Sequence, residues 1–432
     1  MSEIESNSRR DFLKKAAVLS SFFIVPRHVL GNGFLAPSDK INLGFIGCGM
    51  QSGGLRNNFM NLPETQLVAA SDVFKSKLDR FIKDAHKKYE ETSGKSDYKS
   101  VTGYEDFREL LGRKDIDAVV IATPDHWHAA MSVKAAEAGK DIYCEKPLSL
   151  TVKEGRAMVK AARKHKRILQ TGSMQRSAPE FTKAVQLVRS GVIGKVTKII
   201  VSVGGPPKPW DLKPEATPGD LNWNLWLGPN TIERQYSHRV APPIPEGFWP
   251  DWRLYDETGG GFMTDWGAHM FDIAQWGLDM DHSGPTSIIY PKDTGKEGKG
   301  LIYRYANGVE MVHQPEKGNY CHFIGTEGEV KVGRGKLETT PDSLNTKTFT
   351  AGELGVYVSK NHYQDFYNSI RSRKAPICDV EIGHRTATVC NIGNIAYKLG
   401  QNLEWDPKKE TFKNNKEANQ LLGRPMKKEW AV

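Results

Sequence analysis

An acid and an imidazole four positions apart, Asp265 and His269, close the run Gly259-Gly260-Gly261-Phe262-Met263-Thr264-Asp265-Trp266-Gly267-Ala268-His269. That spacing places both on one face at the start of a helix expected to reach about Trp276. A carboxylate beside an imidazole orients its tautomer and stabilises the imidazolium, which suits the pair to removing a hydroxyl proton. Lys146 stands in Glu145-Lys146-Pro147, directly after a short apolar run. A lysine held near such a centre can donate a hydrogen bond to a reacting oxygen, and burial would lower its pKa. The bland readings are a helix N-cap for Asp265, a satisfied core histidine for His269 and a solvated residue before a turn proline for Lys146.

A second cluster has the chemistry of a phosphate cradle. Gly47-Cys48-Gly49-Met50-Gln51-Ser52 reads G-x-G-x-x-S and follows the apolar run at 41–46. The first glycine permits a tight turn, the second lets backbone amides approach a pyrophosphate, and a small third residue packs helix on strand. The phosphates then rest on a helix N-terminus, whose unpaired amides carry partial positive charge. The alternative is a glycine-rich structural turn. The next apolar run, 66–71, ends at Asp72. An acid there accepts hydrogen bonds from ribose hydroxyls and repels a 2′-phosphate. NAD is therefore preferred to NADP, although Lys75 and Lys77 leave the second open. Gly47, Gly49, Met50, Gln51, Ser52 and Asp72 are the expected cofactor contacts.

The elements that must position these groups alternate. Strands are expected at 41–46, 66–71, 117–122, 141–144 and 167–171, with amphipathic helices between them, which indicates a parallel, doubly wound sheet over residues 39–172. Three polar clusters fall where strands of such a sheet end, the place where open sheets bind ligands. These are Thr123-Pro124-Asp125-His126-Trp127-His128, Glu145-Lys146-Pro147 and Ser173-Met174-Gln175-Arg176. Thr123, Pro124, His126, His128, Glu145, Lys146 and Gln175 are accordingly expected cofactor contacts, with His126 and His128 lining the nicotinamide end. His126 and His128 form an H-x-H pair with no third ligand at a matching spacing, so no metal is expected. Past residue 173 the pattern changes to strand-like segments near 196–203, 286–290, 300–305, 308–314, 320–325 and 328–333, followed by a helical stretch at 361–400. This reads as a second α+β domain, 173–432, with a largely antiparallel sheet and terminal helices that return toward the first domain.

G-x-G-x-x-S, T-P-x-x-x-H, E-K-P and G-G-G-x-x-x-D-x-G-x-H occur in that order. From about residue 40 onward the chain resembles the glucose–fructose oxidoreductase/inositol dehydrogenase (Gfo/Idh/MocA) family. The resemblance implies hydride exchange between NAD and a sugar or polyol, with Lys146 beside nicotinamide and substrate. It maps the family's acid and histidine onto Asp265 and His269, and implies a homo-oligomer formed through the open face of the second sheet. Some relatives are NAD-dependent glycosidases that oxidise, eliminate and re-reduce. The Y-x-T-H-x-L-G-P pattern of that branch is missing here, with Tyr236-Ser237-His238 the nearest fragment. A noncatalytic sugar-binding protein is the remaining class.

Aromatic residues crowd the expected substrate side. Seven of the ten tryptophans (Trp210, Trp223, Trp226, Trp249, Trp252, Trp266 and Trp276) fall in one stretch with Tyr236 and Arg253. Aromatic faces beside charged hydrogen-bonding groups suit a sugar ring; a loop packed by its own aromatics is the plainer alternative. Lys146, Arg176, Trp210, Tyr236, Arg253, Asp265 and His269 are the expected substrate contacts.

The N-terminus is a targeting segment. Ser8-Arg9-Arg10-Asp11-Phe12-Leu13-Lys14 precedes an apolar run at 16–25 and then the breakers Pro26, Gly31 and Gly33. It resembles a twin-arginine export signal, removed somewhere between residues 30 and 39. The expectation is a periplasmic enzyme handled by the twin-arginine machinery, carrying its cofactor with it. No apolar stretch reaches the length of about 18 residues needed to span a bilayer. The 432 residues carry a formal net charge of +9, but Lys and Arg are scattered among acids rather than clustered into a nucleic-acid stripe. Five cysteines at irregular spacing, with no C-x-x-C, support neither a zinc ribbon nor a disulfide framework.

Overall fold

The computed structural model describes residues 39–93, 100–291, 300–316, 318–350, 352 and 354–432. The export segment expected at 1–38 lies outside the described residues. Six short strands, β1 (Ile41–Ile46), β2 (Thr65–Ser71), β3 (Thr102–Tyr104), β4 (Ala118–Ile121), β5 (Asp141–Cys144) and β6 (Leu169–Thr171), pair in the order 3-2-1-4-5-6. Every pairing in this sheet is parallel. β4 and β5 are buried at every position, as strands covered on both faces must be.

The connecting helices are α1 (Met50–Met60), α2 (Lys75–Ser93), α3 (Phe107–Gly112), α4 (Asp125–Glu137) and α5 (Val152–Lys164). Their ends follow from sequence. At α5 the Thr151 hydroxyl accepts the Glu154 N–H and donates to the Glu154 carboxylate at 2.8 Å, and Arg163 and Lys164 occupy the last turn. β3 and α3, inserted before β4, escape the sequence reading because β3 is three residues long and largely exposed.

The order reverses between β1 and β4, and both strands deliver their C-terminal turns to one edge. Gly47 turns there with φ +92°, and an added Cβ would lie 2.6 Å from the Ala122 carbonyl oxygen. The close approach of the two turns therefore requires glycine.

The second domain opens with α6 (Pro179–Arg189) and β7 (Val196–Ser202). A long irregular segment follows, broken by α7 (Trp223–Leu227), α8 (Phe262–Asp265) and α9 (Gly267–Gly277). The strands β8 (Ser287–Ile289), β9 (Ile302–Arg304), β10 (Glu310–Gln314), β11 (Tyr320–Gly325), β12 (Glu329–Gly333) and β13 (Lys336–Thr340) then build the sheet with β14 (Leu403–Asp406) and β15 (Thr411–Phe412). Its order is 13-12-11-7-10-9-8-14-15, antiparallel except for the β7–β10 pair. β10, β11 and β12 bury alternate residues such as Met311, Phe323 and Val330 against α6 and α9.

Residues 361–400 are two helices, α10 (His362–Ser372) and α11 (Val380–Leu399). Arg373 takes a left-handed conformation after α10, and Pro376 cannot continue a helix. Phe366 and Ile370 of α10 lie in the same core as Phe45, Phe59 and Tyr143 of the first sheet. Among the described residues no helix is long and apolar enough to cross a membrane.

Arg176 is not a substrate contact. It is 1% exposed and bonded to Asp272 at 2.7 and 2.9 Å and to Asp281 at 2.7 and 2.9 Å. It therefore clamps the 174–177 turn to α9. Removing the cation from a buried cluster leaves a desolvated carboxylate unpaired, so Arg176→Ala should destabilise the fold by about 3–5 kcal/mol. Urea unfolding checks this, and an unchanged midpoint would show that Asp272 is neutral in the native protein.

Candidate functional site

A continuous cleft runs along the edge where β1, β4 and β5 end. At one end Gly47, Gly49, Met50, Asp72 and Pro124 line it; at the other are Glu145, Lys146, Asp265 and His269, with Gln51, Thr123 and Arg253 shared by both. The second part encloses about 430 Å³, within the usual range for a small-molecule site.

The first part fits a dinucleotide. Gly49 is the N-cap of α1 and offers no side-chain cap, so the amides of the first turn remain available to an anion. A Cβ at Gly49 would meet nothing within 4 Å, which leaves the approach to those amides open. Ser52 is buried and its hydroxyl donates to the Gly47 carbonyl at 2.5 Å. It braces the loop from beneath. Asp72 accepts the Cys48 N–H at 2.6 Å and the Phe74 N–H at 2.8 Å. One carboxylate thus ties the glycine turn to the end of β2 at the place an adenosine ribose would occupy.

At the second part, Lys146 donates to the Asp265 carboxylate at 2.7 Å and to the Asp265 carbonyl at 2.9 Å. Arg253 Nε lies 3.7 Å from the same carboxylate, and its guanidinium stacks on Trp252 at 4.1 Å. Burial pushes Asp265 up, but the Lys146 and Arg253 charges outweigh it and hold the carboxyl below its ordinary value. Asp265 does not pair with His269 as the spacing predicts. α8 ends at Asp265 and α9 begins at Gly267, so the two residues do not share one helix. Gly261 sets this up: its φ is +70°, and a Cβ there would lie 2.5 Å from Pro206.

The partner of His269 is instead Arg334, whose Nη2 lies 3.1 Å from Nε2. An arginine can only donate, so Nε2 is the acceptor and the ring proton sits on Nδ1. Nδ1 is buried without a hydrogen-bond partner among the described residues. Burial first, then the Lys146 and Arg334 charges, hold His269 well below its ordinary pKa, so it is neutral at pH 7. Arg334 sits in the two-residue turn between β12 and β13 and lies over the Trp266 ring at 4.5 Å. No chemical motif marks it in the sequence. Gly333-Arg334-Gly335 reads only as a hairpin turn.

Other expected contacts lie elsewhere. His126 is fully buried with Nε2 2.9 Å from the Trp226 carbonyl, and burial lowers its pKa to about 3. His128 spans the Pro147 carbonyl at 2.8 Å and the Thr123 carbonyl at 3.0 Å, bracing the two turns that present Thr123 and Lys146. Both histidines face inward because α4 packs that side on the core. Gln175 is buried, and its amide has no partner among the described residues; the 173–176 cluster sends Met174 to the cleft instead. Tyr236 is buried and donates to the Ala241 carbonyl at 3.1 Å. Trp210 packs on Tyr255 at 5.2 Å. These last two build the hydrophobic cluster of the irregular segment rather than the cleft wall. Trp249, Trp252 and Trp266 line the second part of the cleft, and Trp127 and Trp226 line the first.

A 3-2-1-4-5-6 parallel sheet with a glycine-turn cleft, joined to a second, mostly antiparallel sheet, defines a two-domain dinucleotide-binding fold. Residues 41–173 match the family profile described as "Oxidoreductase family, NAD-binding Rossmann fold", and residues 181–432 match "Oxidoreductase family, C-terminal alpha/beta domain". The chain belongs to the Gfo/Idh/MocA oxidoreductase family and carries its NAD-binding domain. Among curated relatives, a glycosyl hydrolase family 109 protein of Shewanella pealeana is 31% identical over 207 residues, 44% of each chain. The uncharacterized oxidoreductase YrbE of Bacillus subtilis is 34% identical over 170 residues, 39% of this chain and 46% of its own. The chain thus spans less than half the length of these relatives. Among solved structures, the WlbA dehydrogenase of Bordetella pertussis in complex with NADH and UDP-GlcNAcA superposes with a TM-score of 0.59 at 16% identity, over 85% of this chain and 98% of its own. The aldose–aldose oxidoreductase of Caulobacter crescentus gives 0.56 at 19%, over 84% and 99%. At those identities the likeness shows the fold.

Glu145 carries a pH signature. Burial raises its pKa from 4.5 to about 7, against the opposing Lys146 charge and a hydrogen bond from Gln51. Between those two values the native state binds more protons than the unfolded chain, so this group makes stability fall as pH rises through that window. Urea midpoints measured from pH 4.5 to 7.5 should decline less steeply in Glu145→Gln. Equal slopes would place Glu145 in a solvated setting.

Proposed function

We propose that the protein oxidises a hydroxyl-bearing carbon of a carbohydrate or polyol, or reduces the corresponding ketone, with NAD as the hydride carrier. The observation that carries this reading is the Lys146–Asp265 contact placed at the junction of the dinucleotide cleft and the aromatic-walled chamber, with His269 beside it. Bound NAD would be held by the glycine turn, Asp72 and Thr123 and would supply the hydride acceptor. Lys146, fixed by Asp265, donates a hydrogen bond to the reacting oxygen. His269 takes the hydroxyl proton at Nε2, the lone pair that Arg334 otherwise occupies. The nearby cations make His269 a weak base, but they also stabilise the negative charge that grows on the oxygen as its proton departs. Trp249 and Trp252 offer ring faces to the C–H side of a sugar.

The names of the family 109 relatives favour a second reading, net glycoside hydrolysis through transient oxidation. The Tyr236-Ser237-His238 fragment does not supply that branch's chemistry, because Ser237 and His238 bond Glu215 outside the cleft. The twin-arginine-like N-terminus supports export to the periplasm with the cofactor already bound. Family membership supports self-association through the open face of the nine-stranded sheet.

Purified protein without added cofactor should release NAD on denaturation, detected by mass spectrometry. A matching sugar should raise its 340 nm absorbance in a single turnover. Lys146→Ala and His269→Ala should each slow that turnover by about 10²–10⁴-fold while leaving NAD content unchanged. Aglycone release without a lasting 340 nm change would replace this reading with the hydrolytic one, and sugar binding with no turnover, unaffected by either variant, would make the protein a binder.

A further inference from the structure

The adenosine end of the cleft is roofed from the second domain. Val240, Ala241, Glu246 and Trp249 come from one irregular segment and face Asp72 and Lys77 of the dinucleotide domain across the space. Glu246 joins the two sides. Its carboxylate takes Arg80 Nη1 at 2.5 Å and Nη2 at 2.9 Å, a two-pronged charged contact, and Lys77 Nζ lies 3.5 Å away. The Glu246 side chain is 4% exposed and that of Lys77 10%, so water screens this cluster poorly. Bidentate arginine–carboxylate pairs fix geometry as well as charge.

A 2′-phosphate on the adenosine ribose needs cations at the end of β2, where arginine and lysine recognise such groups. The first turns of α2 carry two candidates, Lys77 and Arg80, and both are committed to Glu246. Lys75, the third cation of that turn, points outward to Asp79. Asp72 holds its two backbone amides and adds a second negative charge on the ribose side. With Glu246 present, two carboxylates face two cations. Without it, the balance turns positive at the position a 2′-phosphate would take.

We propose that Glu246 is a cofactor-specificity residue: it latches the 240–250 segment over the adenosine and cancels the two cations a 2′-phosphate would require, so the protein retains NAD and discriminates against NADP. The latch couples retention to discrimination through one side chain supplied by the other domain. The proposal rests on the dinucleotide reading of the cleft.

The test uses the full chain, with NAD and NADP affinities from titration calorimetry and NAD release followed by gel filtration and chromatography of the retained nucleotide. Glu246→Gln should bind NADP about tenfold more tightly and release NAD about tenfold faster. The double variant Glu246→Gln/Arg80→Gln should lose the NADP gain and keep the fast release, which general loosening of the segment would not produce. Arg80→Gln alone, at a partly exposed position, should speed NAD release without improving NADP binding, and serves if Glu246→Gln does not fold. Wild-type protein that binds NAD, together with a Glu246→Gln variant whose NADP affinity is unchanged, overturns the proposal. Wild-type protein that binds neither dinucleotide overturns the cofactor reading beneath it.

Discussion

The Lys146 ammonium and the Asp265 carboxylate, 2.7 Å apart, come from different domains, and the site exists only where they meet. Lys146 is delivered by the turn after β5, and Asp265 by the last residue of α8. Neither charge is well placed alone. Lys146 would be a lysine beside a hydrophobic sheet edge, and Asp265 a largely buried carboxylate. Together each removes most of the other's desolvation cost, and the pair fixes the distance between the dinucleotide turn and the aromatic chamber. The backbone serves the same end: Gly261 N–H donates to the Arg253 carbonyl at 2.8 Å and Met263 N–H to the Gly205 carbonyl at 3.0 Å, so α8 is held from two sides.

Around that pair the charges do not balance. Lys146, Arg253 and Arg334 face Asp265 and a Glu145 whose burial keeps it half-protonated near neutral pH. Burial first, and then that surplus of positive charge, keep His269 neutral, and the surplus favours negative charge developing on a ligand oxygen. Three arginines of the second domain differ in what they meet. Arg253 and Arg334 lie on tryptophan faces at the cleft, where a guanidinium keeps free donors. Arg176, a few residues from β6, commits all three of its nitrogens to Asp272 and Asp281 and holds the fold.

The irregular segment between β7 and α8 does the work that a third layer of secondary structure would do elsewhere. Its own aromatics pack it: Trp223 stacks on Trp226 at 4.6 Å, and Tyr236 meets Trp223 edge-on at 5.5 Å. It is anchored to the first domain by the Trp226 carbonyl on His126 and by Glu246 on Arg80. The histidines of the H-x-H pair thus position the walls of the cleft from within the core.

Five of the six parallel strands, the glycine turn, Asp72, and the residues Lys146, Asp265 and His269 were legible in the sequence, because each depends on local spacing: a strand length, a φ above zero at Gly47, a motif in a fixed order. Family resemblance then placed the three polar residues in one site. Which atoms pair was not legible. Four-residue spacing predicted an Asp265–His269 pair, but a break between two short helices sent the carboxylate to Lys146, 119 residues away in sequence. Arg334 and Glu246 carried no local signal at all, since a turn arginine between glycines and a glutamate between prolines and aromatics look the same whether they face a cleft or solvent. Tyr236 and Trp210 looked like sugar contacts by type, yet apolar burial claimed them. Local sequence determines backbone conformation through short-range sterics and hydrogen bonds; the partner of a charged or aromatic side chain is decided by whichever distant surface the folded chain brings within a few ångströms.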